Sequence, residues 1–368
     1  MKEPETCAIC HEPYPQDQLI EFDGELYCSS CLGIETVFCS HCGERIWNDE
    51  NAGTCNTPLC RSCYDDYYVT CTTCGRILSR DNAYYENDED DPYCYNCHAQ
   101  YHDDRIIHDY YYKPDPIFFG DGKRYFGVEL EIDEAGEYDN NADSILFIAN
   151  SNGLDHAYCK HDGSLSDGFE IVTHPMTLEY HEKEMPWEKI LNKVKAMGYT
   201  SHKAGTCGLH VHVSRDSLGE TSDEQDSVIA RILYFVEKHW DELIKFSRRT
   251  PRQLERWASR YGYKDQPKEI LDHAKKGVHR GRYTCINLEN DATIEFRVFR
   301  GTLKYNTLIA TLQLVNRVCD VALCLSDEEV KNLSWTTFVS GCTEPELVQY
   351  LKERQLYIND PVESEVEI

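Results

Sequence analysis

Three stretches of the chain alternate between aliphatic and polar residues. In FGVELEID, Val128, Leu130 and Ile132 alternate with Glu129, Glu131 and Asp133. GLHVHV sets Leu209, Val211 and Val213 against His210 and His212, and ATIEFRVFRG sets Ile294, Phe296 and Val298 against Glu295 and Arg297. Successive side chains of a strand point to opposite faces, so each stretch predicts a strand with one apolar and one polar face. FEIVT, residues 169–173, reads as a further strand carrying Glu170. Elsewhere the apolar period lengthens to that of a helix. Ser222-x-x-Gln225 is a capping-box signature, and the helix it opens is expected to bury Val228, Ile229, Ile232, Leu233, Val236, Trp240, Leu243 and Ile244. Residues 184–197, 306–325 and 344–354 read as further helices. Strands and helices interleave without regular βαβ alternation, which predicts an α+β domain with a mainly antiparallel sheet. Gln313, Asn316, Arg317 and Asp320 interrupt the longest apolar run, which therefore reads as a core helix and not a membrane span.

The apolar faces are accounted for as core. The polar faces read Glu-x-Glu, His-x-His and Glu-x-Arg. A sheet with one face in water also alternates, but such faces draw on Lys, Thr and Ser, and no lysine stands at these positions. The pattern predicts a single surface gathering carboxylates, imidazoles and a guanidinium into a metal- and phosphate-binding site. Two loops fit it. KHDGSLSDGFEIVTHP puts Asp162 and Ser164 on a glycine-containing turn ahead of Glu170. HRGRYTCINLEN flanks Gly281 with Arg280 and Arg282, a basic hinge able to follow phosphate groups, and leads to Asn287. Taken alone, that second loop reads as solvated.

Composition adds a different first half. Of 19 cysteines, 13 precede residue 98. Cys7-x-x-Cys10, Cys39-x-x-Cys42 and Cys71-x-x-Cys74 recur every 32 residues, each answered by a second pair: Cys28/Cys31, Cys60/Cys63 and Cys94/Cys97. The spacers are 17, 17 and 19 residues, and the approaches LYCSSC, PLCRSC and PYCYNC repeat as well. The pattern predicts three tandem modules, each closing a four-cysteine zinc site whose metal supplies most of its folding free energy. Redox motifs without metal would not need doubled pairs at a fixed period. A cross-braced pairing of Cys28/Cys31 with Cys39/Cys42 would strand the first and last pairs. Cys55 has no counterpart and reads as a free thiol. The pattern resembles LIM-type modules and zinc ribbons. It departs from LIM in having seven residues between units and no histidine ligand.

The first 104 residues hold five Lys or Arg against 21 Asp or Glu, a balance of −16 within a chain of −28. That surface repels phosphate backbones, which argues against nucleic acid as a partner of this half. MKEPETC lacks the features of a secretory signal, so the chain is expected to be cytoplasmic, with no membrane contact. The prolines and glycines after Cys97 divide it into zinc modules over 1–104, a linker over 105–122, a catalytic domain over 123–362 and an acidic tail over 363–368.

GVELEID, KHDGSLSDGFEIVTHPM, GTCGLHVHVS and NLENDATIEFRVFRGTL, in that order, resemble the amidoligases of the glutamine-synthetase-like superfamily over about residues 123–330. The resemblance implies ATP-dependent joining of a carboxylate to an amine through an acyl phosphate. It implies that Glu129 and Glu131, with Glu170 and Glu295, hold two cations, and that His210 or His212 is a ligand or faces phosphate. Arg297, with Arg282 and Arg300, would stabilise the transferred phosphoryl group, and Asp162 and Ser164 would join the nucleotide site. Carboxylates suit Mg²⁺, and an imidazole in the shell moves the preference toward Mn²⁺. Arg300 falls on the opposite face from Arg297 unless the strand ends or bulges by Phe299. Two other readings compete: a metal-dependent amide or ester hydrolase, and an inactive domain serving with the zinc modules as an adaptor. A Cys207/His210 thiol hydrolase has nothing else in the sequence to support it. The zinc modules are expected to dock a protein partner or a protein or peptide substrate.

Overall fold

The computed structural model describes residues 5–85, 91–95, 97–98, 105–276 and 283–357. The chain divides into two compact units, 1–103 and 104–368.

In the first unit each module opens on a short hairpin with the first cysteine pair at its tip. The hairpins are Glu5–Thr6 with Pro13–Tyr14, Thr36–Phe38 with Arg45–Trp47, and Tyr68–Thr70 with Ile77–Ser79. After each pair the backbone turns through a left-handed residue: His11 (φ 58°), Gly43 (φ 75°) and Gly75 (φ 68°). That turn folds the loop back so that His11, Gly43 and Gly75 donate to the carbonyls of Cys7, Cys39 and Cys71. Cys28 and Cys60 cap the helices Ser29–Glu35 and Arg61–Tyr67, where their sulfurs accept from the N–H of Cys31 and Cys63. Neighbouring modules share side chains. Trp47 packs edge-on to Tyr27 at 5.4 Å and donates to Asp23 Oδ2 at 3.3 Å, so the second hairpin covers the first module's core of Cys7, Tyr27, Cys28 and Leu32.

The second unit is α+β. Its seven strands are β1 (Ile107–His108), β2 (Phe126–Ile132), β3 (Ala157–Lys160), β4 (Phe169–Thr173), β5 (Gly208–Ser214), β6 (Ile286–Asn287) and β7 (Thr293–Arg300). They lie in the order β1-β3-β4-β2-β5-β7-β6, antiparallel except for β1 on β3. The predicted aliphatic faces are all core, with Val128, Leu130, Ile132, Leu209, Val211, Val213, Ile294, Phe296 and Val298 in one buried cluster. Helices α1 (Asp139–Ala149), α2 (Leu178–Lys183), α3 (Trp187–Ala196), α4 (Ser222–Lys238), α5 (Trp240–Ser247), α6 (Pro251–Trp257), α7 (Pro267–Lys275) and α8 (Tyr305–Cys324) add to it. Three short helices follow: α9 (Asp327–Asn332), α10 (Trp335–Ser340) and α11 (Pro345–Glu353).

Several expectations are corrected. The capping box of α4 is Thr221 with Glu224, one residue before the Ser222/Gln225 pair. The apolar stripe through Ile244 belongs to two helices, broken at His239. Beside the break, buried Glu237 accepts from the N–H of Tyr261 and Gly262 and from Arg260 Nε. Residues 105–122, expected as a linker, contribute β1, and Phe119 exchanges backbone bonds with Pro175 and Thr177. Helix α8 is long and apolar enough to cross a membrane but is 67% buried within the unit. Three of its four polar interruptions are employed there. Buried Gln313 donates to Glu182 and Glu346 and accepts from Leu347 N–H, while Asn316 and Asp320 hold Arg124. The basic loop with Arg280 and Arg282 and the tail 363–368 lie outside the described residues.

Candidate active site

Register carries the polar residues onto one face. Glu129 stands opposite His210, Glu131 opposite Glu170, and His212 opposite Glu295, which in turn faces Asn287. Gly127 stands opposite His212. Glu129, Glu131, Glu170, His210, Asn287 and Glu295 line a cavity of about 950 Å³.

The contacts are charged and close. His210 Nδ1 lies 3.2 Å from Glu129 Oε2 and 3.4 Å from Glu295 Oε1, and its Nε2 lies 3.5 Å from Glu131. His212 Nε2 is 3.2 Å from Glu129 Oε1, and its Nδ1 meets Thr293 Oγ1 at 3.1 Å. Arg297 Nη1 pairs with Glu295 at 2.5 Å, and Asn287 Nδ2 donates to the other oxygen of Glu295 at 2.9 Å. Burial works against every charge here, and the neighbours decide the outcome. His212 and His210 overcome the burial of Glu129 and hold its carboxyl well below the usual range. His212 and Arg297 do the same for Glu295. Burial wins at Glu131, whose carboxyl is pushed up. It wins further at Glu170, where Glu129 and Asp162 add repulsion. One Glu170 oxygen is buried without a hydrogen-bond partner.

Glu129, His212 and Glu295 each offer one ligand atom, all within 4.8 Å of one another. This donor set fits a hard divalent cation with one nitrogen in its shell. His210, Glu131 and Glu170 surround it from the same face. Asp162 and Ser164 line the cavity, and Asp162 Oδ1 accepts from Ser164 N–H at 2.6 Å. Asp133, the last acid of the first strand pattern, instead holds this loop by accepting from the N–H of Ser166 and Asp167 and from Thr206 Oγ1.

Arg300 is corrected. Between the pairs Val211/Phe296 and Leu209/Phe299 one residue of β5, His210, matches two of β7, Arg297 and Val298, a bulge that sets Arg300 opposite Gly208. It lies at the far end of the strand and lines a separate cleft beside Arg248. Cys207 is buried and its thiol is pushed up, mainly by burial, which removes the nucleophile from a thiol-hydrolase reading.

Arg249 takes the place that Arg300 leaves. It is 5% exposed, lines the cavity, and donates through Nε to Phe299 O at 3.0 Å. It lies on a connecting turn before Pro251, where no periodic pattern marks it. Gly208 makes room for it: a Cβ there would collide with the Arg249 guanidinium and the His210 ring. Glu131 also accepts the Gly208 N–H. Tyr110, Tyr111 and Lys113, from the stretch expected as a linker, line another part of the wall with Lys160.

In the first unit the sulfurs gather as Cys7/Cys10/Cys28/Cys31, Cys39/Cys42/Cys60/Cys63 and Cys71/Cys74/Cys94/Cys97, so the pairing is sequential and not cross-braced. Four thiols within 4.8 Å fit tetrahedral zinc. Burial raises the Cys7, Cys39 and Cys71 thiols, but backbone N–H groups aimed at the sulfurs outweigh it and bring each to about 6. Cys55 is exposed and belongs to none of the clusters.

Residues 149–319 match the model of a family described as "Putative amidoligase enzyme". No curated protein matches the chain. Among solved structures it is similar to the crystal structure of the complex between the prokaryotic ubiquitin-like protein Pup and its ligase PafA, at 12% identity and a TM-score of 0.27. That likeness covers 63% of this chain and 56% of the other, so the chain spans little more than half of that structure's length. The match to the amidoligase family bears out the resemblance read from the ordered motifs, over the segment that carries Glu170, His210, His212, Glu295 and Arg297.

Proposed function

We propose that the second unit is an ATP-dependent ligase that joins a carboxylate to an amine. The observation that carries this reading is the convergence of Glu129 and Glu295, with His212 in ligand reach of both, beside Arg297 and Arg249; of these, Glu129, Glu295, Arg297 and Arg249 line one large cavity. Phosphoryl transfer asks a protein for positioning and charge neutralisation more than for a covalent nucleophile, and this site supplies both. Glu129, His212 and Glu295 would hold Mg²⁺ or Mn²⁺, with Glu131, Glu170 and His210 available to a second ion. A bound cation supplies charge for the phosphate oxygens. Arg297, paired with Glu295, stays cationic and offers its remaining N–H groups to the transferred phosphoryl.

In the proposed reaction a carboxylate oxygen attacks the γ-phosphorus of ATP and ADP leaves. The amine nitrogen then attacks the carbonyl carbon of the acyl phosphate and expels phosphate. The surplus proton of the nitrogen passes to whichever of Glu131 and Glu170 holds no cation, the two cavity carboxylates whose burial raises their proton affinity. The phosphate so released contains one oxygen from the carboxylate substrate. With ¹⁸O-labelled carboxylate, one label per turnover should therefore enter inorganic phosphate. Unlabelled phosphate alongside amide product would exclude the acyl phosphate, and amide or ester cleavage without ATP would favour a metal-dependent hydrolase. The zinc modules are proposed to recruit a protein bearing one of the two reacting groups. Deleting residues 1–104 should then spoil acceptor use while sparing nucleotide binding.

A further inference from the structure

Away from the acidic cavity, His202, Arg248 and Arg300 line a second cleft with Thr302, Thr307 and Thr311, and no lining residue is acidic. In a chain of −28 a group of cations without carboxylates is unusual. The arginine ion pairs among the described residues are those of Arg61, Arg105, Arg124, Arg231, Arg260 and Arg297, so neither Arg248 nor Arg300 has one.

The donors are poorly used within the protein. Arg300 Nε is buried without a hydrogen-bond partner, and Arg300 Nη1 reaches Arg248 O only at 3.4 Å. Arg248 Nη2 donates to His202 Nε2 at 2.9 Å, which requires that ring nitrogen to be unprotonated. Burial, then Arg248 and Arg300, bring His202 to about 4, so it stays neutral near neutral pH. Arg248 is also held at φ 62° at the end of α5, where glycine is the ordinary occupant and another residue is strained. Helix α8 begins at the cleft, and its first turn has neither a capping side chain nor an acid. The fields therefore share one sign.

We propose that this cleft binds a small inorganic anion, held by Arg248, Arg300 and the threonine hydroxyls. Its volume of about 10 Å³ is near the room one water needs, so the occupant is a halide or a single oxygen of a phosphate. The site stands directly behind the acidic cavity. Arg249 follows Arg248 in the chain and donates to Phe299 O, the carbonyl preceding Arg300. An anion bridging Arg248 and Arg300 would fix both segments that place Arg249.

Crystals of the full chain grown with bromide in place of chloride test this directly. The expected result is an anomalous peak between the Arg248 guanidinium and Arg300 Nε that is lost in Arg300→Gln. Soaking in inorganic phosphate separates the sources: retained bromide marks a halide site, and its replacement by an oxyanion marks a phosphate site. A water or a carboxylate of the chain itself in the cleft, with bromide bound elsewhere, would overturn the proposal. So would a bromide peak unchanged in Arg300→Gln. The wild-type measurement decides the matter even if the variant does not fold.

Discussion

The two units solve the problem of holding charge together in opposite ways. In the first, twelve thiols from the repeated pairs converge with almost no apolar core; the cluster of the third module consists of Cys71, Cys94 and Cys97. In the second, carboxylates and imidazoles are forced together on one face of a sheet whose other face packs into a continuous core. The first unit is expected to need metal to fold and the second to fold without it. The second gathers unfavourable charge, as the raised proton affinity of Glu170 shows. A cluster that exists for stability is completed by one ion and then closed. A cluster that exists for binding leaves groups unsatisfied until a ligand arrives.

The sharpest way to break this comparison is to remove metal. Structural zinc in small domains is worth about 10–16 kcal/mol per site, so chelation should abolish the structure of the first unit. The second unit should keep its far-ultraviolet signal and its own melting transition. Concurrent melting of both would show that the second also folds on metal. Native protein should contain three zinc ions per chain, one for each four-cysteine cluster.

Next in size is Gly208→Ala. The added methyl collides with Arg249 and His210, which should cost about 1–3 kcal/mol, as overpacking does elsewhere. Nucleotide binding should weaken more than the melting temperature falls. A variant with unchanged binding would place Arg249 outside the site.

A smaller effect with a diagnostic sign is expected from Glu170→Gln. Because Glu170 is raised in the fold, its contribution declines as pH rises from the ordinary carboxylate range toward the folded value. Glu129 and Glu295 run the other way: lowered in the fold, they stabilise above the ordinary range and lose that as pH falls through their folded values. In metal-free protein Glu170→Gln should therefore stabilise the second unit at neutral pH, by roughly 1 kcal/mol, while impairing catalysis. A loss of stability would mean that Glu170 is structural. Smallest and purely local, Thr221→Ala should cost about 1 kcal/mol in thermal unfolding through the lost cap of α4, with turnover per folded molecule unchanged.

The legible parts of this molecule were those written as short periods. A spacing of 32 residues between cysteine pairs places every thiol of the clusters, and a period of two places Glu129, Glu131, His210, His212 and Glu295 on one face. What escaped depends on register and on turns. Arg300 was obscured by a bulge that no local pattern records, and Arg249 lies on a turn whose position is set by α5 and α6. Proline and glycine content marked residues 105–122 as a linker, yet the two-residue strand β1 and the aromatic Tyr110 and Tyr111 join the sheet and the cavity. The choice between the histidines also needed coordinates. His212 shares the ligand triangle with Glu129 and Glu295, while His210 bridges three carboxylates.

The most direct test of the proposed ligase site is calorimetric titration of ATP with Mg²⁺ into zinc-loaded protein, beside a Glu129→Gln/Glu131→Gln control. The account predicts binding that requires the divalent cation and is lost in the control. Absence of binding to the wild-type protein, with both units demonstrably folded, would contradict it.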